Sequence, residues 1–73
     1  MGKLKTLSGR DVCKILAGNG FLQARQKGSH IIMQIKTVNS TITVPVPDHK
    51  EIRIGTLQSI IRQSGLSKSL FEN

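Results

Sequence analysis

The spacing of hydrophobic positions changes twice along this chain, from helical to alternating and then back to helical. The first helical stripe consists of Val12, Ile15 and Leu16. Ser8 precedes this stripe as a helix cap, with Asp11 placed to complete a variant capping box. Gly18-Asn19-Gly20 supplies the left-handed backbone with which a helix commonly ends. The pattern predicts a first helix over about 8–17.

Three segments with strand character follow, over about 21–26, 29–36 and 41–46. Lys27-Gly28 between the first two is short enough for a hairpin turn. In the middle segment, alternation places three apolar side chains on one face: Ile31, Met33 and Ile35. It places the intervening side chains on the other face: His30, Ile32 and Gln34. Pro45 lacks a backbone donor and therefore predicts that the third strand lies at a sheet edge.

Helical spacing returns near the end of the chain in three apolar residues, Leu57, Ile60 and Ile61. It predicts a second helix that begins at Ile54 or Thr56 and ends at Ser64. Gly65 would end this helix, and a short helical turn is expected over about 66–71.

The predicted order of helix, three antiparallel strands and helix indicates an α+β fold in one domain over 1–73. Both helices would cover one face of the sheet and leave the other partly open. If Ile31, Met33 and Ile35 face the helices, His30 lies on the open face. A one-residue slip in register would reverse this assignment.

The net charge of the chain indicates what kind of partner it binds, which the spacing of hydrophobic residues does not. Eleven Lys and Arg residues against four acidic residues produce a net charge of +7 in 73 residues. The expected partner is a polyanion, meaning nucleic acid, an anionic membrane or an acidic protein. The chain contains no Trp or Tyr, which disfavours base stacking as the main contact with nucleic acid. We see no signal peptide or membrane span, so a cytosolic location is expected.

His30 is the first candidate for chemistry. An imidazole exchanges protons near neutral pH, because its reference pKa is about 6.5. RNA cleavage by the ribose 2′-hydroxyl suits it, since the substrate supplies the nucleophile and the enzyme needs only a base, an acid and positive charge. On the residues alone, however, a single histidine in a strand is more often structural.

Several residues are candidates for binding phosphate. The turn at Gly28-Ser29 presents backbone amides, although a glycine and a serine also suit a turn with no ligand. Gly55-Thr56 opens the second helix, where amides bind phosphate, with Thr56 as a simple cap being the alternative. The cations that join this predicted RNA contact are Arg25 and Lys27 on the hairpin, and Lys50 and Arg53 before the helix. Lys36, Arg62 and Lys68 are interpreted as solvated charges.

Two further residue types have simpler interpretations. His49, with Asp48 and Glu51 nearby, matches no standard metal-site spacing, and Lys50 opposes a cation. We therefore expect no metal, and interpret His49 as an exposed connector residue or an auxiliary RNA contact. The single cysteine, Cys13, cannot form an internal disulfide. It lies among apolar residues and is interpreted as a core residue.

These segments, in this order, resemble the HicA family of toxins, also called YcfA-like proteins, from bacterial toxin–antitoxin pairs. The resemblance begins with the capped helix and Gly20-Phe21, and its signature is Gly28-Ser29-His30 within 25–30. It continues through Thr43-Val44-Pro45-Val46-Pro47 and His49-Lys50-Glu51-Ile52. It ends with Gly55-Thr56-Leu57 and the segment 60–66. Each piece alone is weak, whereas the order and spacing together are specific.

The resemblance implies a double-stranded-RNA-binding-like fold and a metal-independent endoribonuclease that cleaves messenger RNA without a cofactor. The family's catalytic histidine falls on His30. A cognate HicB-type antitoxin would cover the active surface. Two alternatives remain. One is a non-catalytic RNA-binding domain of the same fold, which would bind RNA through its shape and its phosphates. The other is a basic protein-interaction domain with no role toward RNA.

Overall fold

Two α-helices and a three-stranded antiparallel sheet follow one another in the predicted order. The computed structural model describes residues 3–72, so the predicted domain's outermost residues Met1, Gly2 and Asn73 lie outside the described part. The elements are α1 (Gly9–Ala17), β1 (Leu22–Lys27), β2 (His30–Lys36), β3 (Thr41–Pro47) and α2 (Ile54–Ser64), followed by a short 3₁₀ helix (Lys68–Phe71). This order confirms the predicted α+β layout of a double-stranded-RNA-binding domain.

Helix α1 begins at the predicted cap. The Asp11 backbone N–H donates to Ser8 Oγ at 3.0 Å, and the Ser8 backbone N–H donates to Asp11 Oδ2 at 3.1 Å. The capping box is therefore complete. At the other end, Gly18 stays right-handed and Gly20 adopts the left-handed conformation, with a φ of 99°. The predicted glycine-rich stop is confirmed, and Gly20 is the residue that needs positive φ.

The sheet has the strand order β1-β2-β3. The turn between β1 and β2 consists of Gly28 and Ser29, so the predicted turn at Lys27-Gly28 is displaced by one residue. Gly28 has a φ of 60°, which suits the first position of a two-residue hairpin turn. Lys27 instead ends β1 and lies directly opposite His30. The two edge strands of the sheet are β1 and β3. The edge position that Pro45 predicted for the third strand is therefore confirmed, and Pro45 itself is exposed.

The core lies between the helices and one face of β2 and β3. Ile31 and Met33 are buried and Ile35 packs against them, while His30 is exposed. The predicted division of β2 into a covered and an open face is therefore confirmed. The largest fully buried side chains include Phe21, Phe71, Leu16, Leu57 and Val44. All six residues of β1 are exposed, so β1 contributes no buried residue to the core and forms the margin of the sheet.

Helix α2 buries the predicted stripe of Leu57, Ile60 and Ile61. Gly65 ends it with a φ of 71°. The start differs from one expectation, because Arg53 occupies the cap position and Thr56 lies inside the first turn. The Leu57 N–H donates to the Arg53 carbonyl at 2.9 Å, which fixes the first helical turn ahead of Thr56. Thr56 is therefore not the cap.

Candidate functional site

Four chain segments converge at one end of the sheet: the start of α1, the β1–β2 turn, the end of β3 and the connector before α2. The Asp48 N–H donates to the Ser29 carbonyl at 2.6 Å, and the Gly9 N–H donates to the His49 carbonyl at 2.8 Å. A Cβ on Gly9 would overlap the Pro47 carbonyl. Only a glycine allows α1 to approach β3 this closely. We call this region, formed by Gly9, residues 27–30 and residues 47–56, the turn end of the protein.

His30 lies on the open face at the turn end, between one residue of each neighbouring strand. Its partner on β1 is Lys27, and its partner on β3 is Pro47. Residues directly opposite in antiparallel strands share a face and lie about 4.5–5.5 Å apart. An exposed imidazole is therefore flanked by a cation on one side and by a rigid apolar ring on the other.

Arg25 lies on the same face as Lys27 and His30, directly after a β-bulge in β1. The register advances from Gln23 opposite Met33 to Arg25 opposite Ile32, which leaves Ala24 as the extra residue. Because the two-residue turn sets the pairing of Lys27 and Arg25, the extra residue acts on the residues before it. It places Leu22 on the open face and Gln23 on the side of the helices. The structure therefore brings together three of the predicted residues on the open face: Arg25, Lys27 and His30.

Apolar side chains lie among these cations on the open face. Leu22 is 74% exposed and lies opposite Gln34, while Ile32 lies between Arg25 and Pro45. Lys36 marks the far end of the same face, opposite Thr41. The open face thus combines positive charge near the turn with an exposed apolar strip behind it.

The remaining predicted residues lie around the start of α2. Lys50 and Arg53 are exposed, and Thr56 is half-buried. A concave site of about 260 Å³ is lined here by Pro47, His49, Glu51, Ile52, Arg53 and Thr56. The Arg53 side chain makes no capping hydrogen bond, and no atom lies within 4 Å of where a Gly55 Cβ would be. The first backbone N–H groups of α2 therefore have no partner from the side chain at the cap position.

A second concave site, of about 360 Å³, lies on the helix side of β1 and was not foreseen from the sequence. It is lined by Arg10, Cys13, Gln23, Gln26 and Ile31. Its polar lining arises because the bulge turns two glutamines three positions apart toward the same side. Burial, and then the nearby Asp48 carboxylate, raise the pKa of the Cys13 thiol, which is half-buried against the core. Cys13 is therefore protonated at neutral pH.

The ion pair at the turn end is weak. Arg10 Nε lies 3.5 Å from Asp48 Oδ1, with the arginine side chain 79% exposed. Such a pair contributes at most about 1 kcal/mol. The two backbone hydrogen bonds and the close approach of Gly9 to Pro47, rather than this ion pair, determine the position of the connector.

Two further properties concern the described residues. Within residues 3–72, no three His, Cys, Asp or Glu side chains gather closely enough to hold a metal ion. Over the same range, no helix has the length and apolar character needed to cross a membrane.

Comparison with known proteins identifies the family to which the chain belongs. A family model described as the HicA toxin of bacterial toxin–antitoxin systems matches residues 9–66, from the start of α1 to just past the end of α2. The match includes the β1–β2 turn, His30 and the connector before α2. No curated protein sequence matches the chain. The family match spans most of the chain, and the chain therefore belongs to the HicA family of bacterial toxin–antitoxin toxins.

Proposed function

We propose that this toxin is a metal-independent endoribonuclease that cleaves messenger RNA, with His30 as the general acid or base. The observation that carries the proposal is the placement of His30. It is exposed on the open sheet face, directly opposite Lys27, and Arg25 follows in the next row of the same face. A titratable imidazole beside fixed cations is what phosphodiester cleavage through a 2′-hydroxyl requires.

In the proposed step, His30 removes the proton from a ribose 2′-hydroxyl. The 2′-oxygen attacks the adjacent phosphorus, the new P–O2′ bond forms and the P–O5′ bond breaks. Negative charge increases on the non-bridging phosphate oxygens during the attack. Lys27 and Arg25 are positioned to stabilise that charge, since their strand positions flank His30 and its neighbour Ile32.

We propose that flanking phosphates bind along the turn end. The Gly28-Ser29 turn lies between Lys27 and His30, and Lys50, Arg53 and Thr56 lie at the start of α2. The N-termini of α1 and α2 differ in how well they can bind a phosphate. The start of α1 is occupied by its capping box and carries the Asp11 carboxylate, whereas the start of α2 has no acidic residue in its first turn. Phosphate is therefore favoured at α2.

The antitoxin of this pair is proposed to be a HicB-type protein that covers the open face. A net charge of +7 favours an acidic partner surface. The exposed Leu22 and the neighbouring Ile32 supply apolar area for the same contact. Inhibition would follow because the partner excludes RNA from His30.

The substrate test compares two oligonucleotides of the same sequence, one of RNA and one in which every sugar lacks the 2′-hydroxyl, both in excess chelator. We expect cleavage of the RNA alone, with a 2′,3′-cyclic phosphate on one product and a 5′-hydroxyl on the other. Salt-sensitive binding of RNA without cleavage would instead support the non-catalytic RNA-binding domain. The absence of salt-sensitive RNA binding would support the protein-interaction domain.

A further inference from the structure

We propose that His49 is a second catalytic residue, which protonates the 5′-oxygen as it leaves. This inference rests on the proposed ribonuclease function and names the partner that His30 needs. Transesterification through a 2′-hydroxyl requires two proton transfers, one from the attacking oxygen and one to the leaving oxygen. His30 accounts for one of them.

Pro47 connects the two histidines. It lies directly opposite His30 in the β2–β3 ladder, and it also lines the concave site that contains His49. His49 follows Pro47 by two residues, so their Cα atoms lie at most about 7 Å apart. Pro47 lies about 4.5–5.5 Å from His30 between Cα atoms. One phosphodiester lying over the Pro47 ring would therefore have an imidazole near each of its ends.

The backbone around His49 is fixed against the turn that carries His30. The His49 carbonyl accepts a hydrogen bond from the Gly9 N–H at 2.8 Å. On one side, the Asp48 N–H donates to the Ser29 carbonyl at 2.6 Å, and on the other the Ile52 N–H donates to the Leu7 carbonyl at 2.7 Å. A connector held at three successive points positions His49 relative to Ser29 and His30, although the imidazole itself is exposed. Such positioning is what a catalytic pair needs.

The charged groups around the two imidazoles suit different tasks. Glu51 lines the site of His49 and can accept a hydrogen bond from its imidazolium, while Arg53, which lines the same site, can bind a phosphate oxygen. Asp48 is paired with Arg10. His30 faces Lys27, a cation placed for the phosphate rather than for the imidazole. We therefore assign the base to His30 and the acid to His49.

The proton balance of the step is complete with these two residues. The 2′-hydroxyl proton moves to His30 as the P–O2′ bond forms. As the P–O5′ bond breaks, its electron pair remains on the 5′-oxygen, which takes a proton from the His49 imidazolium. The products are a 2′,3′-cyclic phosphate and a 5′-hydroxyl, with His30 protonated and His49 neutral.

A substrate with sulfur in place of the bridging 5′-oxygen separates the two roles. A thiolate is a far better leaving group than an alkoxide and departs without a proton. Wild type, His49→Ala, His49→Gln and His30→Ala are compared on the ordinary RNA and on the sulfur-bridged RNA, with thermal unfolding as the check on folding. We expect the His49 variants to lose about 10²–10⁴-fold in rate on ordinary RNA and to regain a near wild-type rate on the sulfur-bridged RNA. His30→Ala should remain slow on both.

Equal loss on both substrates in the His49 variants would overturn the assignment, because a binding or structural role does not depend on the leaving group. Unchanged cleavage of ordinary RNA by these variants would overturn it as well. Failure of the proposed function gives a different result, since wild type would then cleave neither substrate. The inference about His49 would fall with it.

Discussion

His30 lies directly opposite Pro47, and two residues further along the same ladder Ile32 lies opposite Pro45. Because neither proline has an N–H, these two positions supply no donor to the outer edge of β3. An edge without donors resists pairing with a further strand. The part of β3 next to His30 is therefore poorly suited to extending the sheet by another strand.

The first prediction concerns the cation opposite His30. Lys27→Gln should weaken RNA binding and flatten its dependence on salt, because each phosphate contact contributes about 0.7 to the slope of log K against log salt for single strands. The measurement is a titration of labelled RNA at several salt concentrations. Lys36→Gln is the matched control, since it removes the same charge from the far end of β2, about 20 Å away. Equal slopes in both variants would remove Lys27 from the RNA contact.

The second prediction concerns the start of α2. Gly55→Ala meets no atom within 4 Å, so the variant should be as stable as wild type or more stable by up to about 1 kcal/mol. If phosphate approaches these amides, the added methyl group should cost one hydrogen bond, about 1 kcal/mol, or about fivefold in Kd. Arg53→Gln and Arg62→Gln, at opposite ends of the same helix, provide the comparison. An unchanged Kd in both Gly55→Ala and Arg53→Gln would exclude this helix start from the RNA contact.

The third prediction tests how the turn end is held. Gly9→Ala places a Cβ against the backbone carbonyl of Pro47, and a backbone atom cannot move aside as a flexible side chain can. The expected loss in the free energy of unfolding is about 1–3 kcal/mol, typical of overpacking. Chemical denaturation measures it, with Gly55→Ala as the glycine-to-alanine control. Similar stability of the two variants would mean that α1 does not pack against β3 as described.

The fourth prediction concerns pH. Hydrogen bonds from the Ser8 backbone N–H and then from its hydroxyl lower the pKa of Asp11 below its ordinary value of 3.8. A carboxyl whose pKa is lower in the folded state contributes stability above its unfolded pKa, and this stability is lost as the pH falls through the folded value. Ser8→Ala should raise the Asp11 pKa, measured by NMR titration, and should cost about 0.5–2 kcal/mol as a lost helix cap. An unmoved Asp11 pKa would mean that the Ser8 hydroxyl does not stabilise the Asp11 carboxylate.

Local signals were enough to predict the order of the elements. The capping box at Ser8 and Asp11 and the αL glycine at 65 act within a few residues, so their chemistry is visible in the sequence. The alternation in β2 is equally local, and it correctly separated His30 from Ile31 and Met33.

The bulge in β1 could not be predicted. Gln23, Ala24, Arg25 and Gln26 are all polar or small and all exposed, so an extra residue interrupts no hydrophobic pattern. The faces on which Leu22 and Gln23 lie depend on this bulge and therefore could not be known. The turn was displaced by one residue for a related reason, since Gly28 suits either position of a two-residue turn.

Contacts between segments that are distant in the sequence could not be predicted either. Nothing in the spacing of Gly9, Ser29 and Asp48 shows that α1, the β1–β2 turn and the end of β3 meet. Thr56 has the chemistry of a cap, but α2 starts earlier, at Ile54, with Arg53 in the cap position. Such long-range contacts become known only from the three-dimensional structure.

The most direct measurement is the single-turnover rate of RNA cleavage in excess chelator by wild type and by His30→Ala. Because His30 is exposed on the open face, its replacement should change the free energy of unfolding by no more than about 0.5 kcal/mol and leave RNA binding in place. The account predicts that the cleavage rate falls by about 10²–10⁴-fold. Cleavage at the wild-type rate by a folded, RNA-bound His30→Ala variant would contradict it.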